Sequence, residues 1–159
     1  MERDTQLVEL AGRHWLIGQL VTFGFEVAMP IRDRGVDLIV YQEQTKVFRA
    51  LPVQLKAASS RTFSLNAKYQ KTSNLVLVYV WDVRPGSSST AYALTVAEAV
   101  GVGDAMAYTK TPSWARGAYA TTRPSRKLVS LLEPFASSRE RWQALIRQQV
   151  SLPQDTAGL

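Results

Sequence analysis

The sequence predicts an α/β (α+β) fold, a mixed β-sheet flanked by helices, and three observations carry that expectation. Segments of helical and strand periodicity alternate along the chain. One run, Leu75-Val76-Leu77-Val78-Tyr79-Val80-Trp81, is apolar throughout, as expected of an interior strand buried on both faces. The 159 residues are 46% hydrophobic and 20% charged, the balance of a globular chain long enough for one sizeable core. A single domain is expected over residues 1–150, with a frayed tail at 151–159.

Residues 5 to about 22 read as the first helix. Leu7, Leu10, Ala11, Ile17 and Val21 recur at helical spacing, Asp4 or Thr5 can cap the start, and Gly24 terminates it. A short strand follows at 25–29, closed by Pro30. Residues 36–41 read as a second strand, 42–46 as a polar turn, and about 47–57 as a third strand. There Pro52 marks either a bulge or an edge-facing position. The stretch 59–74 is polar and basic. After the apolar strand at 75–81 comes a Pro/Gly/Ser loop at 84–89, then a strand at 91–95. It leads into a helix over about 96–100, ended by Gly101 and Gly103. Residues 104–126 show no clean period and 128–135 are mixed. Ser137 or Ser138 caps a last helix through about residue 150, with Trp142, Leu145, Ile146 and Gln149 at helical intervals.

Composition removes several chemistries. There is no cysteine, so disulfides and thiolate metal sites are excluded. His14 is the only histidine, which rules out a histidine-rich metal site. No apolar run approaches the roughly 20 residues a membrane-spanning helix needs. Met1-Glu2-Arg3-Asp4 lacks the basic head and apolar block of a signal peptide, so a cytoplasmic location and no membrane partner are expected. A net charge of +6 favours a polyanionic partner such as nucleic acid.

The chemistry-bearing residues lie inside the strands. Arg34-Gly35-Val36-Asp37 opens the second strand, and Gln54 and Lys56 alternate with Val53 and Leu55 in the third, so the two polar side chains share a face. A carboxylate, an amide oxygen and an ammonium on neighbouring strands fit a divalent-metal hydrolytic centre. The alternation alone equally fits a half-exposed hairpin whose polar residues face water.

In order and spacing these residues resemble the PD-(D/E)XK nuclease superfamily, the restriction-endonuclease-like and Holliday-junction-resolvase-like proteins, in a Gln-X-Lys variant. The likeness rests on a helix, then Gly35-Val36-Asp37, then Gln54-Leu55-Lys56, then the apolar strand. It continues in Ala11-Gly12, Phe23-Gly24-Phe25, residues 92–98, Trp114 and Trp142, covering roughly residues 8–148. The resemblance implies a restriction-endonuclease-like sheet and an endonuclease or resolvase hydrolysing DNA phosphodiester bonds with Mg²⁺ (or Mn²⁺). It implies Asp37 as main ligand, Gln54 as a second oxygen donor, the backbone carbonyl of Leu55 as a third, and Lys56 beside the attacking water. A homodimer would suit a duplex cutter.

Two positions depart from that pattern. The family usually has Asp or Glu where Gln54 stands, and a carboxylate is a large contribution: one unit-charge pair at 4 Å is worth about 4 kcal/mol at an effective dielectric of 20. The family's helical acid is replaced by Arg13. Glu9 lies one turn earlier on the same helix face, and either reaches the site as a fourth member or pairs with Arg13. Two other readings therefore stand beside the nuclease: a catalytically degenerate DNA-binding module on the same fold, and a protein-interaction domain using the sheet edge.

For nucleic-acid contact the candidates are Arg32 and Arg34 beside the acid, and Arg61, Lys68 and Lys71 with Phe63 and Tyr69 among them. Arg123, Arg126 and Lys127 form another basic group, for which a solvated loop is the default. Asp33 is expected in a turn, His14 as a packing or surface residue of the first helix, Glu26 exposed on its strand, and the four tryptophans in the core.

Overall fold

A computed structural model describes residues 4–32, 34–44 and 46–148. The expected tail at 151–159, residues 149–150 of the expected last helix and the Asp33 turn lie outside these residues. In chain order the elements begin with α1 (Thr5–Thr22), β1 (Glu26–Ala28), β2 (Leu38–Gln44), β3 (Val47–Ala57), β4 (Phe63–Asn66) and β5 (Val76–Trp81). They continue with β6 (Thr90–Thr95), α2 (Val96–Ala105), α3 (Pro112–Ala115), β7 (Ala118–Thr121), α4 (Arg126–Leu132) and α5 (Arg139–Arg147).

The fold is a mixed sheet flanked by helices. Its strand order is β1-β2-β3-β5-β6, and β4 pairs with β7 in a separate two-stranded sheet. β3 and β5 run parallel; the other neighbours are antiparallel. A parallel pair needs a crossover, most often an α-helix. Here β4 and a 3-10 turn, Ala67–Lys71, supply it.

β5 is buried along its whole length, as its composition predicts. Val76, Val78 and Val80 join Leu16 and Leu20 of α1 and Trp142, Leu145 and Ile146 of α5 on one side of the sheet. Leu77, Tyr79 and Trp81 join Phe63 and Leu65 of β4, Ala99 of α2 and Leu128 of α4 on the other. Each fully buried side chain of this size contributes about 1.5–3 kcal/mol. Two polar tips tie the crossover down: Tyr79 donates to Ser64 O (2.6 Å) and Trp81 Nε1 to Thr62 O (2.6 Å). Burial pushes the Tyr79 phenol above its ordinary pKa, so it stays a neutral donor.

Several boundaries differ from the sequence reading, each for a tertiary reason. The polar residues 42–44 are strand rather than turn: Gln42, Glu43 and Gln44 pair with Arg49, Phe48 and Val47, and Lys46 turns the hairpin at φ 67°. Pro52 makes no bulge, since Ile39 pairs with it in unbroken register. Val53 O accepts from Asp37 N, so the backbone groups of Pro52 face away from β2. Pairing with β5 begins only at Val53, so the N–H that Pro52 lacks has no strand to bond there. The last helix is capped by Ser138, while Ser137 Oγ accepts from Trp142 Nε1.

α2 runs through Gly101 and Gly103 instead of stopping there. Gly103 is a packing residue: a Cβ there would lie 2.5 Å from Leu65 Cδ1 of β4. Gly103→Ala is expected to lower stability in urea unfolding by about 1 kcal/mol, the overpacking against buried Leu65 exceeding the gain in helix propensity. An unchanged midpoint would show that Leu65 moves aside freely. Among the described residues no helix is long and apolar enough to cross a membrane.

Candidate active site

Asp37 and Gln54 are brought together by the β2–β3 register. Leu38 pairs with Val53, and Asp37 N donates to Val53 O at 2.8 Å. Just past the end of this ladder the Asp37 and Gln54 side chains meet, on the face of β3 opposite the Val53 and Leu55 core layer. Gly35 brings the chain in at φ +86°, which disfavours any side chain. A Cβ built there would stand 3.7 Å from Gln54 Oε1, so the backbone forms one wall of the site.

Asp37 is the one polar or charged side chain among the described residues that is fully buried, 7% exposed. Its Oδ2 accepts from Leu55 N (2.6 Å) and from Gln54 Nε2 (2.7 Å). The geometry follows from where β2 begins. The backbone groups of Leu55, like those of Val53, point toward the β2 side, but β2 starts at Leu38 and offers Leu55 no ladder partner. The Asp37 carboxylate takes the N–H in place of a strand. The Leu55 carbonyl is left facing the same gap, 3.4 Å from Gln54 Nε2. The amide NH₂ of Gln54 thus sits between two oxygens, a position that suits positive charge.

Lys56 shares the Gln54 face of β3, and its ammonium lies 5.2 Å from the Tyr69 ring centroid, with Lys68 at 5.4 Å from the same ring. Glu9 takes the second of its two expected roles. It is exposed on α1, pairs with Arg13 at 3.3 Å, and among the described residues makes no hydrogen bond to Asp37, Gln54 or Lys56.

The expected cationic surface is divided. Arg32 and Arg34 are exposed in the loop leading to Gly35. Lys68 and Lys71 are exposed on the 3-10 turn, whereas Arg61 is engaged by Asp82 (3.4 Å), which also faces Arg84 (3.9 Å). Phe63 is not available to a base: it is fully buried and stacked on Tyr79. The sequence reading missed the residues that surround Lys56, namely Ser64 and Asn66 of β4, Ser113 of α3 and Tyr119 of β7. They fall in the polar, basic stretch 59–74 and in the aperiodic stretch 104–126, and no local signal marks them.

No protein-family model, curated protein or solved structure matches the chain.

The donor set at Asp37 fits a hard cation in a limited way. Among the described residues no three His, Cys, Asp or Glu side chains gather. The available oxygens are the Asp37 carboxylate, the Leu55 carbonyl and, after a half-turn of its amide, Gln54 Oε1. Oxygen ligands with one or two carboxylates, completed by substrate phosphate and water, are what Mg²⁺ takes.

Proposed function

We propose that the protein is a metal-dependent endonuclease or resolvase-like enzyme of restriction-endonuclease type, hydrolysing phosphodiester bonds in DNA. The observation that carries this reading is the Gln54 amide, held between Asp37 Oδ2 and the Leu55 carbonyl two residues before a half-exposed end of the same strand face, where Lys56 stands. Asp37, Gln54 and the Leu55 carbonyl would hold Mg²⁺ or Mn²⁺. Bound there, the ion would neutralise charge on the phosphoryl oxygens and acidify a water. The chain's own part is to hold the Asp37 carboxylate in place with two N–H donors, to fix the carbonyl through an unfinished ladder, and to offer the Lys56 ammonium to the developing negative charge. Arg32, Arg34, Lys68 and Lys71 would position the phosphate backbone. A cytoplasmic setting and a homodimer cutting both strands complete the proposal.

The test is incubation of the purified protein with supercoiled, linear and branched DNA plus Mg²⁺ or Mn²⁺. Cleavage that is absent, or that survives Lys56→Ala, overturns the catalytic reading. A second reading, a DNA-binding module that does not cut, is favoured by one observation: Glu9 is held by Arg13, which leaves the site one acid poorer. It predicts salt-dependent DNA affinity without metal-dependent nicking.

Gln54→Glu separates metal binding from turnover. The new carboxylate would stand against Asp37, and like charges at hydrogen-bond distance repel. Its melting temperature in EDTA is expected to fall below wild type by several degrees and to recover on adding Mg²⁺. A variant whose melting ignores Mg²⁺ would mean that these residues bind no cation.

A further inference from the structure

A cleft of about 490 Å³ opens beside Lys56, walled by that residue, Ser64, Asn66, Tyr69, Ser113 and Tyr119. None of the residues lining it is acidic. Lys56 and Lys68 both stand over the Tyr69 ring, and among the described residues no carboxylate lies within ion-pair distance of either ammonium. β7 contributes Tyr119 to the lining, where it stacks on Tyr108 with centroids 4.0 Å apart and planes 19° apart. Ser64 and Asn66 of β4 and Ser113 of α3 add hydroxyl and amide groups to the lining. The cleft adjoins the candidate active site at Lys56, which shares a strand face with Gln54.

We infer that this cleft receives a single unpaired nucleotide of the substrate strand, next to the phosphodiester that faces Asp37. The inference rests on the nuclease reading and narrows it to nucleic acid with an unpaired segment. Cations without carboxylates select an anion, here a backbone phosphate. The volume is larger than a phosphate requires and lies in the range of small-ligand sites. A rigid aromatic wall offers a stacking surface to any base, without sequence preference. A base inside a duplex is stacked on both sides and cannot enter a concave site, so the nucleotide must already be unpaired or be swung out at a cost. Ser64, Asn66 and Ser113 would then meet the polar edge of the base.

The test measures binding in EDTA at low salt, where metal-dependent cutting does not occur. Labelled blunt duplex is compared with the same duplex carrying a single-stranded arm. Wild-type protein is expected to bind the armed duplex about tenfold more tightly, the contribution of one stacked base. Ser113→Trp, an exposed position at which the indole would fill the cleft, is expected to bring the two affinities within about twofold by weakening binding of the armed duplex. Tyr119→Ala, checked for an intact melting transition, should do the same. Equal wild-type affinities, or a preference that persists in Ser113→Trp, overturns the cleft and leaves the nuclease reading standing. Failure to bind either DNA overturns both.

Discussion

Asp37→Asn is expected to lower metal-dependent DNA cleavage by about a hundredfold or more, since it removes the one carboxylate at the centre of the site. The substitution keeps the side chain's shape, so the effect is separable from unfolding. Asparagine still offers an oxygen to the Leu55 N–H, but the two charge-assisted bonds to Oδ2 become ordinary ones, at a cost of about 1–2 kcal/mol. For a chain of this length that is a fall in melting temperature of only a few degrees. Plasmid nicking assays and thermal melts on the same preparation check both parts. Full activity in Asp37→Asn would remove this carboxylate from the chemistry. Lost activity accompanied by an unfolded chain would point to Asp37 as a structural substitute for the missing ladder strand.

The largest stability effect is expected at Arg141. This arginine of α5 has 11% of its side chain exposed, bonds Glu98 of α2 and donates from Nε to the Ala93 carbonyl of β6 (2.9 Å). Its guanidinium also lies 5.1 Å from the Phe135 ring. Glu98 is itself part of the α2 capping box, accepting from Thr95 N at 2.8 Å. One charged group therefore joins the terminal helix, the edge strand and the start of α2. Arg141→Met preserves most of the side chain's length but leaves Glu98 and the Ala93 carbonyl without their partner. Removing one member of such a half-buried pair costs about 3 kcal/mol, or roughly 10 °C in melting temperature. Urea unfolding measures it. A loss below about 1 kcal/mol would place this pair with ordinary surface ion pairs. In a double-mutant cycle Arg141→Met and Glu98→Gln should fall short of additivity, because both remove the same contact.

How much of this was legible depends on the range of the interaction. The face shared by Gln54 and Lys56 follows from two-residue periodicity, and the burial of β5 on both sides follows from its unbroken apolar run. Asp37 and Gln54 were readable as neighbours once two strands and a hairpin were assigned. What they do to one another was not. The short Asp37–Leu55 bond exists because β2 begins at Leu38, two residues later than the sequence suggests, a boundary that local propensity does not set that closely. The role of Gly103 was misread for a related reason. Glycine in sequence suggests a helix end, whereas here the approach of Leu65 makes its missing side chain a packing requirement.

The amino-acid sequence by itself determined the mixed helix–sheet class, the interior strand, a serine cap at 137 or 138 for the last helix, and the shared strand face of Gln54 and Lys56. Each of these is encoded by neighbours within a few positions, through periodicity, capping and turn chemistry. Folding in three dimensions decided that Glu9 pairs with Arg13, that Phe63 is core while Tyr69 lies under two ammonium groups, and that β4 and β7 meet to wall a cleft beside Lys56. These depend on which distant surfaces bury one another. Pairing of Ser64 with Ala120 leaves no periodic trace in either segment, because only their mutual contact and the core beneath them hold both in place.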